Sequence, residues 1–337
     1  MLEVRCSGTP YEIGHQHGSL ARDKVNGSLK FYRELFETKC DMDWPAVRAE
    51  ASKYLDSLSK INIVALNVRT EITFGLFTDK PARPVPVDGC TSLGYHPADG
   101  ASFLMQNWDW QPEQASNLFV CHVSQPGTDI PRFSMVTEGG VIGKIGLNEH
   151  GVGTCLNAIR AKGVDPSRLP IHLALRTALE SPSKMVAIAR LEAKGLAGSG
   201  HILISDPTDG PTGLECTTIG IKKLEKDKNG LVVHANNLIL DHPGIDEPPW
   251  LDDSPVRTSR LQKLAEEHVV AAEKTDFPSW FELFQDSDGY PCGINRCKAP
   301  GSEAQTLFNI VMDLAKKQAT VTFGRPTEYT ERVGIAF

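Results

Sequence analysis

Asp88-Gly89-Cys90-Thr91-Ser92 sets a thiol directly after a glycine carbonyl, at the border between a proline-rich stretch and a strand-like one. That arrangement suits self-cleavage. The Cys90 thiol can attack the Gly89 carbonyl by an N-to-S acyl shift, and hydrolysis of the thioester then leaves Cys90 as a new amino terminus. Nucleophile and base would share one residue, because an α-amino group titrates at ~8, close enough to a free thiol to take its proton without a catalytic histidine. Glycine suits the acyl side, since without Cβ it tolerates the strained backbone that exposes a carbonyl to attack. A single cysteine is more often a small buried hydrophobe, so the position has to argue for reactivity. Upstream, Pro81-Ala82-Arg83-Pro84-Val85-Pro86-Val87 is extended and cannot be helix or central strand. Downstream, residues 101–110 read as a strand ending in Gln106-Asn107-Trp108-Asp109-Trp110.

The elements that must position Cys90 divide at the same place. Before it, Leu29, Tyr32, Leu35 and Phe36 recur with helical spacing, and further helices are expected over Trp44 to Leu58 and Ile61 to Gly75. His15 and His17, two apart, cannot share a helix face and read as turn or surface residues. After it come short β-branched runs at 118–123, 132–137 and 141–147, a hairpin turn at Asn148-Glu149-His150-Gly151, and a strand from Val152. Helices follow at 171–179 and 183–194, the second capped by Ser183, then strands at 201–205, 213–218, 221–224 and 231–235. Residues 241–255 form a proline-rich loop, 258–272 an amphipathic helix, and 306–323 a hairpin. Strands, a helical pair and strands again predict two stacked sheets with helices outside.

With 337 residues, 40% of them hydrophobic and 23% charged, the chain can bury a large core. A net charge of −7 without a basic stripe excludes nucleic acid as a partner. No run of ~18 apolar residues exists to cross a membrane. Met1-Leu2-Glu3-Val4-Arg5 lacks the features of a signal peptide and Gly334-Ile335-Ala336-Phe337 is no peroxisomal address, so the expected compartment is the cytosol. The eight cysteines read as free thiols. Cys292 and Cys297 lack the partners of a zinc site, and neither a metal nor a cofactor is expected.

Gly8-Thr9-Pro10-Tyr11-Glu12-Ile13-Gly14, Asn67-Val68-Arg69-Thr70-Glu71, Asp88-Gly89-Cys90-Thr91, Gln106-Asn107-Trp108-Asp109, Gly139 to Lys144 and His172 to Arg176 stand in order along nearly the whole chain. Together they resemble the isopenicillin N acyltransferase family of self-cleaving N-terminal-nucleophile (Ntn) proteins, more distantly similar to acid ceramidases. The resemblance implies an α+β fold, the Ntn-hydrolase four-layer αββα sandwich with a mostly helical N-terminal segment. Residues 1–89 would form that segment and residues 90–337 the catalytic subunit, with the two pieces staying associated after the cut at Gly89-Cys90. It makes Cys90 the nucleophile, Asp109 the carboxylate that holds its ammonium group, and Asn236 the amide donor to the oxyanion, a role that lowers a barrier by roughly 3–4 kcal/mol. Trp110 and Arg296 would bind substrate, Arg296 through a carboxylate. Glu303 falls where the penicillin-forming member has arginine, so an acidic wall is expected there. The implied substrates are acyl-coenzyme A or an N-acyl amide as donor and an amine such as 6-aminopenicillanic acid, or water, as acceptor.

Three other readings remain open from the residues. One is an N-acyl amide hydrolase with no β-lactam role. Another is an uncut enzyme whose Cys90 is activated by His234 or His96. The third is a degenerate, non-cleaving homologue that only binds ligands.

Overall fold

A computed structural model describes residues 1–54, 61–77, 89–98, 100–271 and 276–337. The proline run at 81–87, Asp88 and the end of the helix expected to reach Leu58 lie outside the described residues. In chain order the elements are β1 (Glu3–Ser7), α1 (Pro10–Leu20), α2 (Arg22–Lys39), α3 (Trp44–Ser52), α4 (Ile61–Asn67), a π-helical turn (Glu71–Gly75), β2 (Gly89–Tyr95), β3 (Phe103–Trp110), β4 (Leu118–Ser124), β5 (Phe133–Glu138), β6 (Ile145–Asn148), β7 (Gly153–Ala158), α5 (Ile171–Leu179), α6 (Lys184–Lys194), β8 (Gly200–Ser205), β9 (Thr212–Thr217), β10 (Gly220–Glu225), β11 (Leu231–His234), α7 (Asp253–Ala271), α8 (Phe277–Leu283), β12 (Gln305–Asp313), β13 (Gln318–Arg325) and β14 (Glu328–Ala336).

Eight strands form one sheet in the order β1-β4-β5-β6-β7-β8-β9-β10, and six form a second in the order β11-β2-β3-β12-β13-β14. Only the β1–β4 pair is parallel; the other described pairs are antiparallel. The sheets face each other, β2 and β3 packing on β7, while α5 and α6 cover the larger sheet and α7 and α8 the smaller. This is the expected α+β sandwich of four layers. Because the central strands β2, β3, β5 and β7 to β9 are covered on both faces, every residue in them is buried. Polar residues among them therefore stand out as candidates for chemistry, since each must find a partner.

Several expectations shift. α7 begins at Asp253, five residues before the expected start, because Pro255 sits in the first turn, where a missing N–H costs nothing. α8, a helix not expected from the sequence, is held by a capping box between Asp276 and Ser279 with Pro278 in its first turn. β1 and β14 were too polar on one face to announce themselves. His17 is not a surface residue: α1 buries it against Phe119, where its Nε2 accepts the Gly140 N–H at 3.0 Å. Burial lowers its pKa to about 4. The strand expected from Val141 starts at Ile145, after a turn in which Gly140 has φ 84°.

Glu71 tests the packing of the π-helical turn. It is buried, its Oε1 accepting the Ile171 N–H at 2.8 Å, and burial pushes its pKa up to about 7 against the pull of backbone hydrogen bonds and Arg69. An unfolded glutamate titrates at ~4.3, so between that pH and about 7 the native state holds a proton that the unfolded state has lost. Stability must fall as pH rises through this window, by an amount on the order of 3 kcal/mol from this residue. Glu71→Gln is expected to shrink the loss in urea midpoint between pH 5 and pH 8. An unchanged slope would place the ionisation elsewhere.

Candidate active site

β2 and β3 set the register of the site: Gly89 lies opposite Asp109, and Cys90 opposite Trp108. Partners across an antiparallel pair point to the same face, so the Cys90 side chain follows Trp108 into the core between the sheets. Gly89 and Asp109 share the other face. On the far side of β2, His234 pairs with Ser92, and the chain leaving β11 carries Asn236 to the start of β2. The Cys90 N–H donates to Asn236 Oδ1 at 2.8 Å, while Asn236 Nδ2 donates to the Ala158 carbonyl at 2.9 Å. Cys90 and Asn236 are only 1% and 2% exposed. The Asn236 N–H is itself fixed by Ser254 Oγ at 2.6 Å, and that hydroxyl donates to Asn237 Oδ1.

Two arginines and two aspartates surround this peptide. Arg257, on α7, donates through Nη1 to the Cys90 carbonyl at 2.7 Å and to Thr91 Oγ1 at 2.9 Å, and through Nη2 to Asn236 Oδ1 at 2.9 Å. Its Nε pairs with Asp253 Oδ2 at 2.6 Å. Arg296 also pairs with Asp253, and its Nε lies 3.4 Å from Asp109 Oδ2. Asp109 Oδ1 accepts from Thr306 Oγ1 at 2.7 Å. Burial alone would lower the Arg296 pKa, but Asp109 and Asp253 reverse that and raise it. Two formal charges of each sign therefore meet around the Gly89-Cys90 peptide, which is how buried charges are tolerated.

The Arg296 guanidinium occupies the space where a side chain on Gly89 would go: an added Cβ would stand 2.5 Å from Nε and 2.9 Å from Cζ. Held by two carboxylates, Arg296 cannot swing aside as a free arginine would. Gly89→Ala is therefore expected to displace the Arg296–Asp109 pair and to slow any scission at this peptide by ~100-fold or more, in line with the cost of misplacing reacting groups by about 1 Å. Intact-mass time courses check this, and an alanine variant that processed at the parent rate would contradict it.

Of the residues singled out in the sequence, Gly89, Cys90, Asp109, Asn236 and Arg296 converge here. Trp110 lies two residues beyond Trp108 on the same face of β3, in the core that also holds Cys90. It is buried in an aromatic group with Phe31, Phe74 and Trp108, with Arg69 over its ring. Arg296 is engaged by carboxylates of its own chain. His96 lies past the opposite end of β2, roughly 20 Å from Cys90 at strand rise, its Nδ1 bonded to the Ala101 carbonyl at 2.8 Å. His234 has both ring nitrogens against acceptors, Glu215 Oε1 and the Ala235 carbonyl, each at 2.9 Å, and stacks on His201. These ring hydrogen bonds are to groups other than the Cys90 thiol: Ala101 for His96, and Glu215 and Ala235 for His234. Glu303 is no bare acidic wall, because Lys39 Nζ pairs with it at 2.8 Å. Asp253, Arg257 and Thr306 escaped the sequence reading. The i,i+4 spacing of Asp253 and Arg257 is the available signal, hidden because Asp253 falls in the loop expected over 241–255 and Arg257 lies just before the helix expected from 258.

Residues 96–328 match the family described as acyl-coenzyme A:6-aminopenicillanic acid acyl-transferase. The chain belongs to this family. Over 360 aligned residues it is 34% identical to the acyl-coenzyme A:6-aminopenicillanic-acid-acyltransferase 40 kDa form of Emericella nidulans, covering 100% of this chain and 96% of that protein. The family match begins after β2, whereas the full-length relative spans Cys90 as well. Among solved structures, a variant of conjugated bile acid hydrolase from Clostridium perfringens aligns with a TM-score of 0.52 at 14% identity, over 73% of this chain and 92% of that one. The fold is that of the Ntn hydrolases, and the protein is an acyltransferase-family enzyme. Among the described residues, no helix is long and apolar enough to cross a membrane.

Proposed function

We propose that this family member cuts itself between Gly89 and Cys90 and that the freed Cys90 carries acyl groups as a thioester. What supports the reading is the Cys90 nitrogen on Asn236 Oδ1, with the Asp109–Arg296 pair packed against Gly89. In the uncut chain the thiol adds to the Gly89 carbonyl, the C–N bond breaks as the nitrogen takes a proton, and water hydrolyses the thioester to release the 1–89 piece. Asn236 Oδ1 already accepts from that nitrogen and holds it more firmly as it gains positive charge.

In the mature form the α-amine takes the thiol proton, and the thiolate adds to the donor carbonyl. Asp109 holds the resulting ammonium group beside Arg296. The Nδ2 hydrogen of Asn236 not used by Ala158 is available to the oxyanion. Collapse expels coenzyme A thiolate or an amine, which the ammonium proton neutralises. An acceptor amine or water then attacks the thioester, giving amide or acid and restoring the thiol. The Emericella relative is named for acyl-coenzyme A and 6-aminopenicillanic acid, and these are the donor and amine proposed for this chain. Residues 1–89 would remain bound as the companion of residues 90–337.

The test is to compare transfer from acyl-coenzyme A to 6-aminopenicillanic acid with hydrolysis of simple N-acyl amides in one purified preparation. Transfer at multiple turnovers is the expected result. Hydrolysis with no detectable transfer would leave an amidohydrolase, and no turnover of either would leave a binding protein.

A further inference from the structure

Arg257 lies outside every role described so far, yet it is 1% exposed and touches both the nucleophile's own residue and Asn236. We propose that Arg257 is a positioning residue that fixes which way the Asn236 amide faces, an inference that rests on the reading of Asn236 as the oxyanion donor. A guanidinium has donors only and can never accept a hydrogen bond. Its Nη2 at 2.9 Å therefore requires the oxygen of Asn236, and the nitrogen must point away, toward Ala158.

A half-turn of the amide would set Nδ2 against Arg257 Nη2 and Oδ1 against the Ala158 carbonyl, donor on donor and acceptor on acceptor. An asparagine without such neighbours has a broad, nearly two-fold choice at this torsion. In the uncut chain the Cys90 N–H helps to make the choice, since it too can only donate. Scission removes that help. A neutral α-amine carries a lone pair and accepts as readily as it donates, and neutrality is the state in which it must take the thiol proton. From then on the charged hydrogen bond from Arg257 is the contact on Oδ1 that tolerates only one orientation. The same guanidinium grips the Cys90 carbonyl and Thr91 Oγ1 at 2.7 and 2.9 Å, so the amide is oriented relative to the nucleophile's own backbone. Asp253 holds Nε and so directs the two terminal nitrogens at these acceptors.

The test is a cycle of Arg257→Gln, Asn236→Ala and the double variant, with Cys90→Ala as the inactive reference. kcat and KM for an N-acyl amide and for transfer from acyl-coenzyme A are the readouts. Arg257→Gln is expected to lower kcat by ~100-fold, the scale of losing one oxyanion donor, with KM changed less than about 3-fold. In the Asn236→Ala background the same change should move kcat by less than about 3-fold, because the group it orients is gone. Independent, multiplying losses, or a raised KM at parent kcat, would overturn the proposal. If Arg257→Gln fails to fold, Arg257→Lys keeps the charge without the fork, and an intermediate kcat that again vanishes against Asn236→Ala supports the same conclusion; multiplying losses overturn it. Where a variant remains uncut, its rate of scission replaces kcat in the cycle. Activity surviving in Cys90→Ala or undiminished in Asn236→Ala would remove the underlying reading and this proposal with it. Loss in both, with multiplying Arg257 effects, would remove the Arg257 assignment alone.

Discussion

Cys90→Ala yields one uncut chain with neither transfer nor hydrolysis, whereas the parent protein yields two pieces, one of them beginning Cys-Thr-Ser-Leu. Alanine keeps the strand, since Cys90 is buried near the start of the β2–β3 pairing and a small side chain fits beside Trp108. What it lacks is the sulfur that both steps require. The change therefore separates chemistry from folding: circular dichroism and the melting temperature should stay near those of the parent, with activity below detection. Cys90→Ser should cut slowly, if at all, because a hydroxyl is a far weaker nucleophile than a thiol at neutral pH. Two pieces from the alanine variant, or an active parent that remains in one piece, would end the N-terminal-nucleophile account.

Asp109→Asn carries the second-largest expected effect, through charge rather than shape. Thr306 can still donate to the side-chain oxygen, but the carboxylate that stands 3.4 Å from Arg296 is neutralised. Arg296 then relies on Asp253 alone, and the freed Cys90 ammonium loses its counter-charge. Breaking a buried pair costs ~3–5 kcal/mol when nothing else compensates; with Asp253 still in place, a loss toward half of that is expected in urea unfolding. The rate should fall by ~1,000-fold or more, as when the orienting member of a nucleophile–base set is neutralised. Activity within 10-fold of the parent in a stable, folded protein would show that the carboxylate serves structure only.

How far the sequence could be read follows from where its signals lay. Helices such as 171–179 and 184–194 were legible because their apolar spacing and the Ser183 cap are local. The hairpin at Asn148 was too, for the same reason: its side-chain Oδ1 accepts the His150 and Val152 N–H groups at 3.0 Å, and those contacts belong to the turn itself. β1 was not legible, since its partner among the described residues is β4, more than a hundred residues away, and its pattern of alternate burial is five residues long. The start of α7 is hidden because Pro255 belongs to a proline-rich stretch that reads as loop, although it stands in the helix's first turn. That one displacement hid Asp253 and Arg257, half of the charged group around Cys90. Cys90, Asp109 and Asn236 came out of a resemblance of ordered motifs, not out of composition. Nothing local could have revealed that Arg296 fills the space beside Gly89, because that contact joins segments two hundred residues apart.

The insertion of β1 beside β4, with Val4 and Cys6 buried against Phe119, Cys121 and Val123, has a consequence for a molecule cut at residue 89. The amino-terminal piece would then donate a strand to a sheet otherwise built by its companion, and unfolding would become separation into two polypeptides. Recovery after denaturation would be bimolecular, faltering on dilution in a way the uncut precursor never does. Endurance of the mature protein would be governed by how slowly the pieces come apart, a one-way loss, and no longer by a reversible balance.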